Sequence, residues 1–328
     1  MIEIKQWASI RSEYESTDLL LGNGFSINLW SKFAYKSLFI TFIEKVDEPF
    51  KSLFQHFETT NFEQILSHLI HTLKVNTLLE LPTDLVKEAI EKLKNGLIET
   101  IEEIHPRNGE IDWDNLDFFT DELETYKDIY TTNYDLFLYH IIMKTVDKGR
   151  NGNTYTPFQD YFRSYDNFYT QFNKKCVGDK NIYYLHGALF LFGNGIYDLK
   201  IKRQGNDLIA TISQEIKRDH FPLFITDGTS QDKLDLINRS NYLHFCLQKL
   251  SESTTPLLIF GNSLSEYDRH IIKALESQPR DLIISIYTNG MAETQLQGEM
   301  YSIKNKFLNN QSRIEFVDSA GVFSNVGK

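Results

Sequence analysis

Leu19-Leu20-Leu21-Gly22-Asn23-Gly24-Phe25-Ser26 sets an apolar run directly against a glycine turn, and that junction decides the fold. A short apolar run bounded by turn residues reads as a buried strand, and a helix is predicted to start near Ser26. Three further runs end in the same manner: Ile129-Tyr130-Thr131-Thr132-Asn133-Tyr134-Asp135, Ile182-Tyr183-Tyr184-Leu185-His186-Gly187 and Leu257-Leu258-Ile259-Phe260-Gly261-Asn262-Ser263. In an open α/β sheet a ligand sits outside the carboxyl ends of the strands, so polar residues at several strand ends converge on one crevice. Together the four segments read as one nucleotide site.

Toward the C-terminus, strands at 257–260, 282–287 and 313–317 alternate with helices at 266–276 and around 292–308. Such alternation favours a parallel sheet covered on both faces, so the expected fold class is α/β, a Rossmann-like doubly wound, mostly parallel sheet. Between about Lys36 and Asp117 the pattern changes. Leu85, Ala89, Lys92, Leu93, Ile98 and Ile101 recur near helical spacing, with Thr83 as candidate cap and Pro106 beyond the end. This reads as a helical module, residues 36–117, inserted into a domain built from 1–35 and 118–328. The sheet resumes near Asp128–Thr131, and a helix is expected from Asp135 to Met143. Residues 150–180 are aromatic and polar without clear period and read as a loop or lid. A strand at 182–185 and a small hairpin continuing from Leu189–Phe192 follow. The stretch 193–255 offers one helical pattern, Asp235–Leu250.

The 328 residues suffice for a large core, and 41% hydrophobic content indicates a globular chain. A formal charge of −11, spread without an acidic tail, argues against a large nucleic-acid footprint, because phosphate binding needs a basic face. Cys176 and Cys246 are too few for a disulfide framework or a four-cysteine zinc site, so no metal is expected. They read as buried thiols in a reducing cytoplasm. The opening Met1-Ile2-Glu3-Ile4-Lys5-Gln6-Trp7 lacks the basic region and apolar run of a secretory signal. No stretch approaches the roughly 20 apolar residues that span a bilayer. A soluble, cytoplasmic protein without membrane partners is the expectation.

Each junction has its own chemistry. The backbone N–H groups of Gly22, Asn23, Gly24, Phe25 and Ser26 could cradle a phosphate, although the turn does not complete the dinucleotide fingerprint and Ser26 could simply cap a helix. Thr132, Asn133 and Asp135 place an amide and a carboxylate two residues apart. Asn133 can hold a water or a ribose hydroxyl while Asp135 accepts from an amide; a helix start capped by Asn133 fits the same residues. His186 precedes a glycine that permits close approach, and its imidazole titrates near working pH, which suits a general base. Gly261, Asn262 and Ser263 form a second glycine turn, while Ser265 and Asp268 have capping-box spacing and read as a helix start. Asn289-Gly290 either lines the adenosine side of the crevice or is an ordinary turn.

The ordered set GNGFS, TTNYD, LHG and GNSLS resembles the SIR2-like (sirtuin-like) superfamily, and most closely the bacterial family DUF4917. The resemblance implies a Rossmann-type NAD domain with a smaller inserted module. It implies that Asn133 and His186 carry catalysis, that Asp135 lies near the nicotinamide carboxamide, and that the two glycine turns are NAD-binding loops. The chain departs from true sirtuins in lacking the zinc cysteines and in having Gly-Asn-Gly-Phe-Ser where deacylases usually show Gly-Ala-Gly. What the resemblance then implies is an NAD+ hydrolase releasing nicotinamide and ADP-ribose, with NAD as substrate, in the manner of antiphage effectors held latent until a partner or assembly activates them. A regulatory protein partner or a homo-oligomer is expected, with residues 36–117 and 150–180 as candidate contacts or lid. Two other functions stay open: a non-catalytic sensor of NAD or an ADP-ribose-like nucleotide, and an NAD-dependent protein deacylase or ADP-ribosyltransferase.

Overall fold

The strands, in chain order, are β1 (Ile4–Lys5), β2 (Asp18–Leu21), β3 (Asp128–Thr131), β4 (Phe158–Gln159), β5 (Phe162–Ser164), β6 (Tyr169–Phe172), β7 (Lys180–Tyr184), β8 (Gly187–Gly193), β9 (Asp198–Ile201), β10 (Pro222–Phe224), β11 (Leu257–Phe260), β12 (Leu282–Ile286) and β13 (Ile314–Asp318). They come from a computed structural model that describes residues 1–14, 16–34, 38–148, 157–176, 178–193, 196–202, 207–225, 228–307 and 313–323. The main sheet has the order β1-β13-β12-β11-β2-β3-β7-β4, and every adjacent pair is parallel. β2 and β11 are buried along their whole length, as unbroken apolar strands must be when helices cover both faces. From β2 the chain builds outward through β3 and β7, then returns to β11 on the other side. The topological switch, where open α/β sheets place their ligands, is therefore between β2 and β11.

A second sheet, β10-β8-β9-β6-β5, is antiparallel. Its β8–β9 pair is the expected hairpin. β4, β5 and β6 fall within 150–180, so short strands interrupt the stretch read as a loop or lid, with irregular segments between them; residues 150–156 and 177 lie outside the described residues. Strands this short cannot establish a period of two, and aromatic packing holds them instead. Phe162 and Phe172 both meet Tyr242, with ring centroids 4.8 and 5.3 Å away.

The inserted segment folds as helices Leu38–Lys45, Glu48–His56, Phe62–Leu78 and Asp84–Ile104. The last buries Ile90, Leu93, Leu97, Ile98, Ile101 and Ile104, whereas Leu85 and Lys92 are exposed and Thr83 makes no side-chain cap. The expected module boundary at 117/118 falls inside helix Trp113–Leu123, which packs on helix Phe137–Lys148 and so belongs with the sheet. Lys36 lies outside the described residues. Within 193–255 the single expected helix is two, Ser230–Arg239 and Asn241–Glu252. The extended backbone of Ser240 breaks them, and its side chain accepts the Leu243 N–H at 3.0 Å to cap the second. A further helix, Leu208–Lys217, precedes them.

The amino end of β2 is pinned by charge. Asp18 Oδ2 accepts from Arg280 Nη2 and from Ser253 Oγ, each at 2.9 Å, with both members of the ion pair buried. Cys176 and Cys246 are free and buried. Among the described residues no helix is long and apolar enough to cross a membrane.

Candidate functional site

Three glycines clasp the two turns at the switch point. Gly22 N–H donates to Phe260 O and Gly24 N–H to Gly261 O, both at 2.8 Å. A Cβ on Gly22 would lie 2.5 Å from Gly261 O, one on Gly24 2.7 Å from Gly261 Cα, and Gly261 itself has φ +68°. The glycines are thus required by backbone-to-backbone packing. The N–H of Gly24 is spent on Gly261 and does not face a phosphate. The helix starts at Asn23, within the turn and ahead of the expected Ser26, with Gly22 as its cap residue. Phe25 turns into the core, 5.1 Å from the Phe119 ring and 6.0 Å from Phe323, so its side chain lines no crevice. Asn23 is exposed, with Nδ2 3.4 Å from Phe33 O.

Asn133 and its neighbours close a buried network across β2 and β3. Thr131 Oγ1 accepts the Asn133 N–H at 3.0 Å, and Asn133 Nδ2 donates to Gly22 O at 3.0 Å and to Ser26 Oγ at 2.9 Å. Ser26 Oγ donates to Asp135 Oδ2 at 2.5 Å, and Asp135 Oδ1 accepts the Phe137 N–H at 2.8 Å. Asp135, not Asn133, therefore starts the following helix. Burial raises the Asp135 pKa, against the lowering effect of Ser26 and the Phe137 N–H. Both amide protons of Asn133 are used within the protein, so Oδ1 is the atom it can offer a ligand. Thr132 Oγ1 accepts Asn262 Nδ2 at 3.2 Å, while Asn262 Oδ1 accepts the Leu264 N–H at 2.8 Å, tying the β3 and β11 turns together. Ser263 is exposed beside them. Asn289 is not brought in: it lies exposed in the turn after β12, where Gly290 at φ +77° makes an ordinary Asn-Gly turn.

His186 reaches the same end of the sheet. Thr131 pairs with Tyr184 in the β3–β7 ladder, so Asn133 and His186, each two residues on, leave adjacent strands at one level. The imidazole is buried, with Nε2 2.8 Å from His270 Nε2. Asp268 Oδ1 lies 4.0 Å from His186 Nε2 and is held by Lys233 Nζ at 2.8 Å. Ser230 Oγ accepts the His270 backbone N–H at 2.8 Å and sits 3.1 Å from its Nδ1. His186 follows β7 whereas Asp268 and His270 follow β11, and the ends of β2 and β3 lie between those strands. The histidine contact thus bridges over the strand ends that carry Asn133 and Ser26. Burial pushes His186 down to about 3 and His270 down to about 4, so both rings are neutral near pH 7. Burial opposes ionisation of Asp268, but His186 and Lys233 beside it hold its carboxyl below the usual range.

Ser230, Lys233, Asp268 and His270 are the residues that sequence patterns missed. Ser265 makes no side-chain cap, and the Asp268 carboxylate turns to Lys233 and the histidines, so the capping-box reading of that pair is corrected. His186, Asp268 and His270 could also ligate a cation, their ligating atoms lying within 4.8 Å of one another. The buried Lys233 ammonium already serves as counter-charge to that carboxylate, which disfavours a second cation there. Elsewhere, a cavity of about 550 Å³ lies between the inserted helices and helix Ser230–Arg239, and an adjoining one of about 520 Å³ extends from there to the second sheet at Asp198 and Phe224; they share Asn61, Gln64, Leu236 and Arg239.

A mostly parallel sheet covered by helices, with a buried polar network beside its switch point, defines an α/β protein of the Rossmann-like class. The chain belongs to the family described as domain of unknown function (DUF4917), whose model matches residues 19–323. No curated protein matches it.

Proposed function

We propose that this protein is an NAD+ hydrolase of the SIR2-like type, cleaving the nicotinamide–ribose bond to give nicotinamide, ADP-ribose and a proton. The observation that carries the reading is the placement of Asn133 and His186 at one level on adjacent strands beside the switch point. Nicotinamide is already a cationic leaving group, so its departure needs no acid. The site has to stabilise an oxocarbenium-like ribose and deliver water. Asn133 Oδ1 accepts from a ribose hydroxyl or from the water. Neutral His186 takes the proton released as the water oxygen bonds to the anomeric carbon. Burial makes His186 a weak base, which suffices here because a water attacking an oxocarbenium grows acidic as the new bond forms. Asp135, with both oxygens engaged, holds Ser26 and through it Asn133.

A freely active NAD+ hydrolase would deplete its own cell, so the reading includes a latent state relieved by a protein partner or by self-assembly, as in an antiphage effector. The test compares wild type, Asn133→Ala and His186→Ala, each alone and co-expressed with neighbouring gene products. Turnover by wild type in at least one state and its loss in both variants supports the reading. Unchanged turnover in either variant removes that residue from the mechanism.

A further inference from the structure

Two neutral imidazoles whose Nε2 atoms are 2.8 Å apart share one proton, and the surroundings decide which ring owns it. Asp268 Oδ1, fixed by Lys233, lies 4.0 Å from His186 Nε2, and a nearby carboxylate favours the proton on that nitrogen. On the far side of the pair, Ser230 Oγ is 3.1 Å from His270 Nδ1 and has a lone pair left to accept from an Nδ1–H. A proton on His270 Nδ1 leaves His270 Nε2 as an acceptor. His186 Nδ1 has no hydrogen-bond partner among the described residues.

We infer that His270 is the positioning residue of the site, its Nε2 accepting the Nε2–H of His186 so that His186 presents an unprotonated Nδ1 to the crevice. Metal ligands often have their tautomer fixed by a second-shell acceptor in this way, and here the same device serves a base. When His186 Nδ1 takes a proton from water, its Nε2–H stays bonded to His270 and Asp268 supplies the opposing charge. The catalytic consequence rests on the NAD+-hydrolase reading; the tautomer does not.

The deciding experiment uses the full chain labelled with ¹⁵N at histidine, recording long-range ¹H–¹⁵N correlations of wild type, His270→Gln and His270→Leu, alongside nicotinamide release from NAD+. Wild type is expected to show His186 protonated at Nε2. His270→Gln, whose Oε1 still accepts, should keep that tautomer and most of the turnover. His270→Leu should lose the tautomer preference and reduce turnover about tenfold or more, within the range that acid–base positioning supplies. His186 protonated at Nδ1 in wild type would overturn the inference, as would an unchanged tautomer in His270→Leu. So would one equivalent of Zn2+ retained through both Nε2 atoms after dialysis against that ion. If His270→Leu does not fold, wild type and His270→Gln still decide. Should wild type release no nicotinamide in any state, the hydrolase reading falls while the spectra still settle the tautomer.

Discussion

Ser26 is the residue on which the site's order depends, because its hydroxyl joins the Asn133 amide to the Asp135 carboxylate inside the core. Ser26→Ala leaves two buried polar groups short of a partner, which costs about 1–3 kcal/mol each at most. We expect a lowered melting temperature and a turnover loss seen in kcat more than in KM, measured by calorimetry and nicotinamide release. An unchanged kcat would show that Asn133 does not need this support. His105 offers a test of buried charge away from the crevice. Burial pushes it from 6.5 down to about 4, so the folded state keeps it neutral where the unfolded chain protonates it. The stability tied to this neutral form is complete above pH 6.5 and is lost as pH falls toward 4. His105→Leu should therefore gain stability relative to wild type as pH falls through that window. Parallel melting profiles from pH 7 to 4.5 would contradict the assignment.

At the scale of elements, the β2–β11 junction is held at both ends by different physics. At the carboxyl end the Gly22, Gly24 and Gly261 backbones touch, and Gly261→Ala adds both a φ that L-residues rarely adopt and a Cβ 2.7 Å from Phe25 N. Soluble yield and melting temperature should fall for Gly261→Ala, and an unaffected variant would mean that the turns are not clasped. At the amino end, Asp18→Ala strands a buried guanidinium and should cost about 3–5 kcal/mol in denaturant unfolding. These strands were legible in the sequence because unbroken apolar runs such as Leu257–Phe260 end abruptly in glycine. The small strands β4 to β6 were not, since their order comes from aromatic contacts made by distant residues such as Tyr242. The site divides along the same line. Asn133 and His186 stand at strand ends that a linear reading can find. His270, Asp268 and Lys233 become neighbours of His186 only once β11 is inserted on the far side of β2.

For the molecule as a whole, the sheet order brings one polar network and one histidine pair to the same end of the sheet, where the proposed reaction is hydrolysis of NAD+. The most direct measurement is the stoichiometry of products from NAD+ incubated with the full chain, alone and with its co-expressed neighbours. The expected result is equal amounts of nicotinamide and ADP-ribose in the activated state, absent in Asn133→Ala and His186→Ala. Stoichiometric binding of NAD+ with no nicotinamide released in any state would contradict it and make the protein a nucleotide sensor.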